Sequence, residues 1–105
     1  MPYTPPQDVQ DAAKRALIWL AEGYAGSGFT DVGRARAVQL ANGRDVSEDT
    51  IARMRSFFAR QAGNKDAEGF YRGEDGYPSP GRVAWDAWGG DPGQRWANSV
   101  RLPNE

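Results

Sequence analysis

The residues from Thr30 to Gly63 read as two capped helices joined by one tight turn, and no other stretch constrains the fold as strongly. The first helix opens at Thr30 or Asp31, either of which can satisfy the free amides of a helix start, and it runs to Ala41. Asn42-Gly43 stops it, because both residues tolerate the left-handed backbone that ends helices. At about 100° per residue, Val32, Ala35 and Val38 fall on one side, while Ala37, Leu40 and Ala41 fall nearly on the other. A helix apolar on two sides is expected at the centre of a fold. Arg34 and Arg36 stand about 160° apart by the same rotation, so they share no flat patch.

In the second helix Ser47 is the cap, and Glu48 and Asp49 occupy the first turn, where negative charge suits the helix dipole. Val46 is placed to staple onto Ile51. Ile51, Met54, Phe57, Phe58 and Ala62 form an apolar stripe opposite Asp49, Arg53, Ser56 and Arg60, and Gly63 ends the helix.

Upstream, Thr4-Pro5-Pro6-Gln7 has the form of a capping box, with Thr4 as cap and Pro5 at the first helical position. The spacing predicts a helix to about Glu22 whose stripe is Val9, Ala12, Ala13, Ala16, Leu17 and Leu20, closed by Gly23. Ile18 and Trp19 lie off that stripe. Such a pair either rests under a neighbouring loop or is exposed to a partner. The short glycine-rich link to Phe29 places the first two helices side by side, with Phe29 anchoring it.

Downstream, residues 63–79 mix charge, glycine and the aromatics Phe70, Tyr71 and Tyr77. A connection this long is either functional or an Ω-like loop held by its own aromatics. Ser79-Pro80 starts a short helix through Trp88, Gly89-Gly90 breaks it, and Asp91 with Gln94 repeats the capping logic for a last helix carrying Trp96, Ala97 and Val100. The Gly-Gly corner brings Trp85, Trp88 and Trp96 together, as core in a leucine-poor chain rather than as a ligand cage. The expected fold is an all-α single domain, 1–105, of about five helices with a central helical hairpin and a tryptophan-rich C-terminal pair, with 1–3 and 101–105 poorly ordered. Its core should hold Leu17, Leu20, Val38, Leu40, Ile51, Met54, Phe57, Phe58, Trp85, Trp88 and Trp96.

The chain of 105 residues has no cysteine and no histidine. Disulfides, thiolate nucleophiles, histidine bases and the usual zinc sites are thereby removed, and neither catalysis, a cofactor nor a metal is expected. The carboxylates of Asp45, Glu48 and Asp49 are explained by a helix start, and those of Glu74 and Asp75 by a solvated loop. The formal charge of −1 does not suit a polycation that coats nucleic acid or membrane. From Asp31 to Ala62, however, six arginines against four acids leave +2. No apolar run approaches the roughly 20 residues of a membrane span and no leader precedes a cleavage site, so a cytoplasmic protein without a membrane partner is expected.

Two binding readings follow. The hairpin compares with a helix-turn-helix, although its turn is longer than the usual one and Glu48 and Asp49 have the wrong sign for phosphates. In that reading Arg53 and Arg60 bind nucleic acid weakly, helped by Arg44 and by Arg55 at the flank, with Arg36 partly buried and structural. In the other reading the chain binds protein through Ile18, Trp19, Tyr71, Glu74, Asp75 and Tyr77.

The residues Gly28, Thr30, Val32-Gly33, Ala35-Arg36-Ala37, Leu40-Ala41-Asn42-Gly43-Arg44, Val46-Ser47, Thr50-Ile51, Arg53-Met54 and Ser56-Phe57-Phe58-Ala59-Arg60 form one block. A second comprises Tyr77-Pro78-Ser79, Gly81-Arg82-Val83-Ala84-Trp85, Trp88-Gly89-Gly90-Asp91, Gly93 and Trp96-Ala97. Together the blocks resemble a short domain of tailed-bacteriophage proteins, found alone or joined to prohead-protease or head-morphogenesis proteins. The Trp-Gly-Gly-Asp run is the most specific part. Where that family continues with a histidine-led run, this chain has Gln61-Ala62-Gly63-Asn64-Lys65, and before Trp88 it has Asp86-Ala87 in place of aliphatic residues. The resemblance implies a phage or prophage origin, a compact helical fold, and a phage structural or host protein as partner in the bacterial cytoplasm or on the virion. It implies no reaction.

Overall fold

Pro5 and Pro6 decide where the first helix begins. A residue that precedes proline is pushed out of the helical region, which excludes both Thr4 and Pro5. The computed structural model describes residues 3–105, apart from the Ser27 side chain; in it α1 spans Gln7–Ala21, with Pro6 as an extended N-cap that has no side-chain bond. The Thr4 capping box therefore does not form. Thr4 Oγ1 donates instead to Asp45, and Gln10 Nε2 donates to the Pro5 carbonyl at 3.0 Å, which ties the entry of α1 to the turn before the third helix. Tyr3 exchanges two backbone bonds with Val46, at 2.9 and 2.8 Å, so the expected loose start is held at Tyr3, while Met1 and Pro2 lie outside the described residues.

The next three helix starts form as the local chemistry requires. Thr30 accepts from the Gly33 amide to open α2, Asp31–Ala41, and Ser47 accepts from Thr50 to open α3, Glu48–Arg60. Ser79 accepts from Arg82, with Pro80 at the first position of α4, Pro80–Ala87. The last start differs. The N-cap of α5, Gly90–Ser99, is Gly89 in a left-handed conformation, and Asp91 sits inside the first turn rather than at the cap. Its carboxylate accepts the Trp85 indole N–H at 2.8 Å and pairs with Lys65 at 2.9 Å, a fixed role that competes with capping.

Five α-helices and no strand occur among the described residues, and none of these helices is long and apolar enough to cross a membrane. The radius of gyration, 13.1 Å, is that of one packed domain of this length. The centre of packing is α1, whose most extensive partners are α2 and α4, followed by α5; α3 packs mainly on α5. The α2–α3 pair is thus not the central hairpin that two-sided apolarity suggested. Only Gly33, Ala37, Leu40 and Ala41 of α2 are buried, and Val38, expected in the core, is 43% exposed. Around α1 the core gathers Val9, Ala13, Ala16, Leu40, Ile51, Met54, Phe57, Phe58, Phe70, Trp85 and Trp88, with Leu17 and Trp96 packed at its margin. Phe58 and Phe70 meet the Trp85 ring edge-on at 4.8 and 5.9 Å, and Phe57 stacks on Trp88 at 4.8 Å.

The C-terminal residues fold back rather than trailing. Arg55 donates Nε to Ala97 O at 2.8 Å and Nη2 to Val100 O, satisfying carbonyls at the end of α5, and its guanidinium pairs with Glu105. That bond, with the Leu102 amide, pulls the Glu105 carboxyl down to about 2. Because the folded value lies below the ordinary 4.5, this clasp contributes fully above pH 4.5 and is lost as pH falls toward 2. An NMR titration of the Glu105 side-chain carboxyl should show a midpoint near 2 that returns toward 4.5 in Arg55→Ala. An unchanged midpoint in the variant would show that Arg55 is not its partner.

Candidate functional site

The uncovered side of α2 is the feature that the fold leaves unexplained. Val32, Ala35 and Val38 repeat every three residues and are all exposed, Val32 at 60%. α1 and α4 pack on α2, and among the described residues no helix covers its Val32–Val38 side. Beside this stripe lies a hollow of about 470 Å³ reaching Gln39 and Arg44, and a second of about 370 Å³ bordered by Ala52, Arg53, Ser56, Arg60 and Trp88. Val32 lines both, so the two adjoin there; α2 and Arg44 line the first, α3 and Trp88 line the second, and together they make the α2–α3 groove. Each exceeds what one side chain fills, and each falls in the size range of small binding pockets.

Arg36 spans the groove floor. Its Nη1 donates to Gln39 and, at 3.4 Å, to Thr50, and its guanidinium carbon lies 5.2 Å from the Trp88 ring centre. Its Nε is buried without an acceptor. Burial first, and then the positive Arg53, lowers its pKa, with Asp49 opposing. Arg36 is structural, as its position in the sequence suggested.

The sequence-derived arginines divide here. Arg44, Arg53 and Arg60 border the groove, with Arg53 also bonded to Asp49 at 2.7 Å along α3. Arg55 is consumed by the end of α5 and Glu105 and does not join them. The sequence cannot show this, because its partners lie 42 to 50 residues away.

The other candidates form a structural cluster on the far side of α4. Glu74 Oε1 accepts from the Gly69 and Tyr71 amides, and the Ser79 amide donates to Gly69 O at 2.8 Å, which closes residues 69–79 as an Ω-like loop. Tyr77 meets Trp19 edge-on at 5.6 Å, while Arg82 lies over Trp19, Tyr77 and Phe70 and donates to Phe70 O. Trp19 thus rests under the loop. Ile18, Tyr71 and Asp75 stay exposed at the surface. Beneath Arg82, Asp86 is 1% exposed and faces Arg15 at 2.8 Å and Arg82 at 3.3 Å. Burial pushes its carboxyl up against the pull of both guanidiniums. In the sequence Asp86 stands out only as a departure from the resembled phage domain and carries no role, because its partner Arg15 lies 71 residues away.

The chain matches no protein family, curated protein or solved structure. The groove between α2 and α3 therefore carries the functional argument alone. Its signal was present in the two apolar faces of α2, which burial on one side only turns into a surface.

Proposed function

We propose that this chain is a non-enzymatic protein-interaction module that binds its partner through the groove between α2 and α3. The observation that carries this is the exposed stripe Val32, Ala35 and Val38 in a fold that buries its other apolar stripes. Aspartates and glutamates that could have served as acid and base are engaged elsewhere: Asp45 by Thr4, Asp49 by Arg53, Glu74 by its own loop. The resemblance to a tailed-phage domain supports head assembly, or a contact between phage and host proteins, as the setting. The docking surface moves from Tyr71, Glu74, Asp75 and Tyr77, which shape a closed loop or flank it, to the groove.

A second reading, weak nucleic-acid binding, is favoured by Arg44, Arg53 and Arg60 bordering one groove. About three phosphate contacts would let affinity fall roughly tenfold to a hundredfold between about 50 and 200 mM salt. An apolar floor adds nothing to phosphate binding, and the first reading is preferred for that reason.

The deciding experiment is a cross-linked pull-down from infected bacterial cells with wild type and Val38→Glu, each checked for an intact fold by circular dichroism. The same head or host protein should be recovered by the wild type and lost in the variant. Recovery of nucleic acid alone, sensitive to salt and to Arg53→Ala/Arg60→Ala, would replace this reading with the second.

A further inference from the structure

We infer that the occupant of the α2–α3 groove is an acidic amphipathic helix of the partner. This rests on the groove being a protein-docking surface and specifies what docks. The apolar line runs along α2, where Val32, Ala35 and Val38 cover about 9 Å at the helical rise, while the α3 wall from Ala52 to Arg60, about 12 Å, carries Arg53, Ser56 and Arg60. A segment of about two turns fits that length and meets it with apolar residues at i, i+3 or i+4, and i+7. Trp88, largely buried but lining the second hollow, and its stacked Phe57 give the floor a rigid aromatic end.

The charge of the groove selects the partner. No aspartate or glutamate lines either hollow, whereas Arg44 borders the first and Arg60 the second, together with Arg53, which is also paired with Asp49. Arg36 inside is bonded to the neutral Gln39 and Thr50, so no contacting carboxylate among the described residues cancels its charge. A helix with glutamates or aspartates flanking its apolar stripe therefore finds cations at both hollows. A second copy of this chain does not, because a two-fold interface would bring this arginine rim against itself. An extended strand has no sheet edge to join among the described residues.

The test uses a yeast-displayed library of randomised segments of about 16 residues, roughly 24 Å as a helix, selected against the full chain. Enriched segments should be acidic, carry the helical apolar repeat, gain helicity on binding, and lose at least about tenfold in affinity for Val38→Glu and several-fold for Arg53→Ala/Arg60→Ala. Lysine replacement of their acids should abolish binding. Val32 and Val38 are exposed, so these variants are expected to fold, and Val32→Ala gives a milder substitution with a smaller loss. Enrichment of basic, neutral or extended segments, no enrichment, or binding indifferent to Val38→Glu overturns the inference. If the pull-down partner depends on Val38 while the selected segments are not acidic helices, the inference fails and the docking surface stands. If neither depends on Val38, both fail.

Discussion

Trp85→Ala should remove about 3–5 kcal/mol of stability, the range for deleting a large buried aromatic whose site cannot collapse. For a domain near this length that corresponds to a fall in melting temperature of at least about 15 °C. The position explains the size. Trp85 is 1% exposed and is met edge-on by Phe58 and Phe70, so its removal strands rings contributed by α3 and by the loop before α4. Its indole N–H also donates to Asp91, and Lys65 pairs with that carboxylate while lying 5.0 Å from the Trp85 ring. The pairing with Lys65 and the indole bond hold the Asp91 carboxyl below its ordinary value, against the opposing effect of burial. Trp85→Phe keeps much of the ring packing but loses the indole donor, at a cost of about 1–2 kcal/mol for the unpaired acceptor and the missing volume. Urea unfolding followed by far-ultraviolet circular dichroism measures both. A loss under about 1 kcal/mol for Trp85→Ala would mean that the indole is not the keystone between α3, α4 and the 69–79 loop.

What the sequence revealed and what it hid divide along chain distance. Thr30, Ser47 and Ser79 cap their helices because each bond spans three residues, and the apolar stripes and the stops at Gly23 and Gly43 are equally local, whereas α3 ends at Arg60 and Gly63 falls in the 3-10 turn Ala62–Asp66 that follows. The all-α class and the aromatic core follow from them. Thr4 failed for a local reason too: the second proline forbids the helix to start before it. Which face of α2 is covered depends instead on where α1 and α4 settle, and no periodicity carries that information. Two apolar faces suggest a buried centre. In a chain of five short helices there was one neighbour too few, and the second face became the groove. Arg44, Arg53 and Arg60 were legible as one charged region because they share a helix face or its turn. Arg55 was not separable from them, since its engagement with Ala97 and Val100 is set by tertiary packing. Trp19 and Tyr77 were both identified, yet their contact across 58 residues makes them structural partners rather than two parts of a docking site.

Gly89→Ala is expected to cost about 3 kcal/mol or more, far above the effect of the same change at Gly23. Both glycines have positive φ, +111° at Gly89 and +86° at Gly23, a region that costs an L-residue about 1–2 kcal/mol. The surroundings differ. A methyl at Gly23 meets nothing within 4 Å, whereas at Gly89 it would sit 2.9 Å from the Gly93 Cα and 3.0 Å from Val9 Cγ1. Backbone cannot rotate aside as a side chain can, so the corner between α4 and α5 must open, adding about 1–3 kcal/mol of overpacking. Gly93 faces the same constraint from the other side, since a methyl there would lie 2.9 Å from the Trp88 carbonyl. The Trp88-Gly89-Gly90-Asp91 run is thus accounted for by geometry: two left-handed glycines turn the chain, and Trp88 and Asp91 anchor either side of the turn. Opening the corner also displaces Trp88 from Phe57 and from the Arg36 guanidinium at the groove floor. Gly89→Ala should accordingly weaken partner binding at temperatures where the domain is still folded, while Gly23→Ala should leave it unchanged. Paired thermal melts and binding titrations of the two variants test this, and equal losses of stability at both sites would rule out steric closure at the corner.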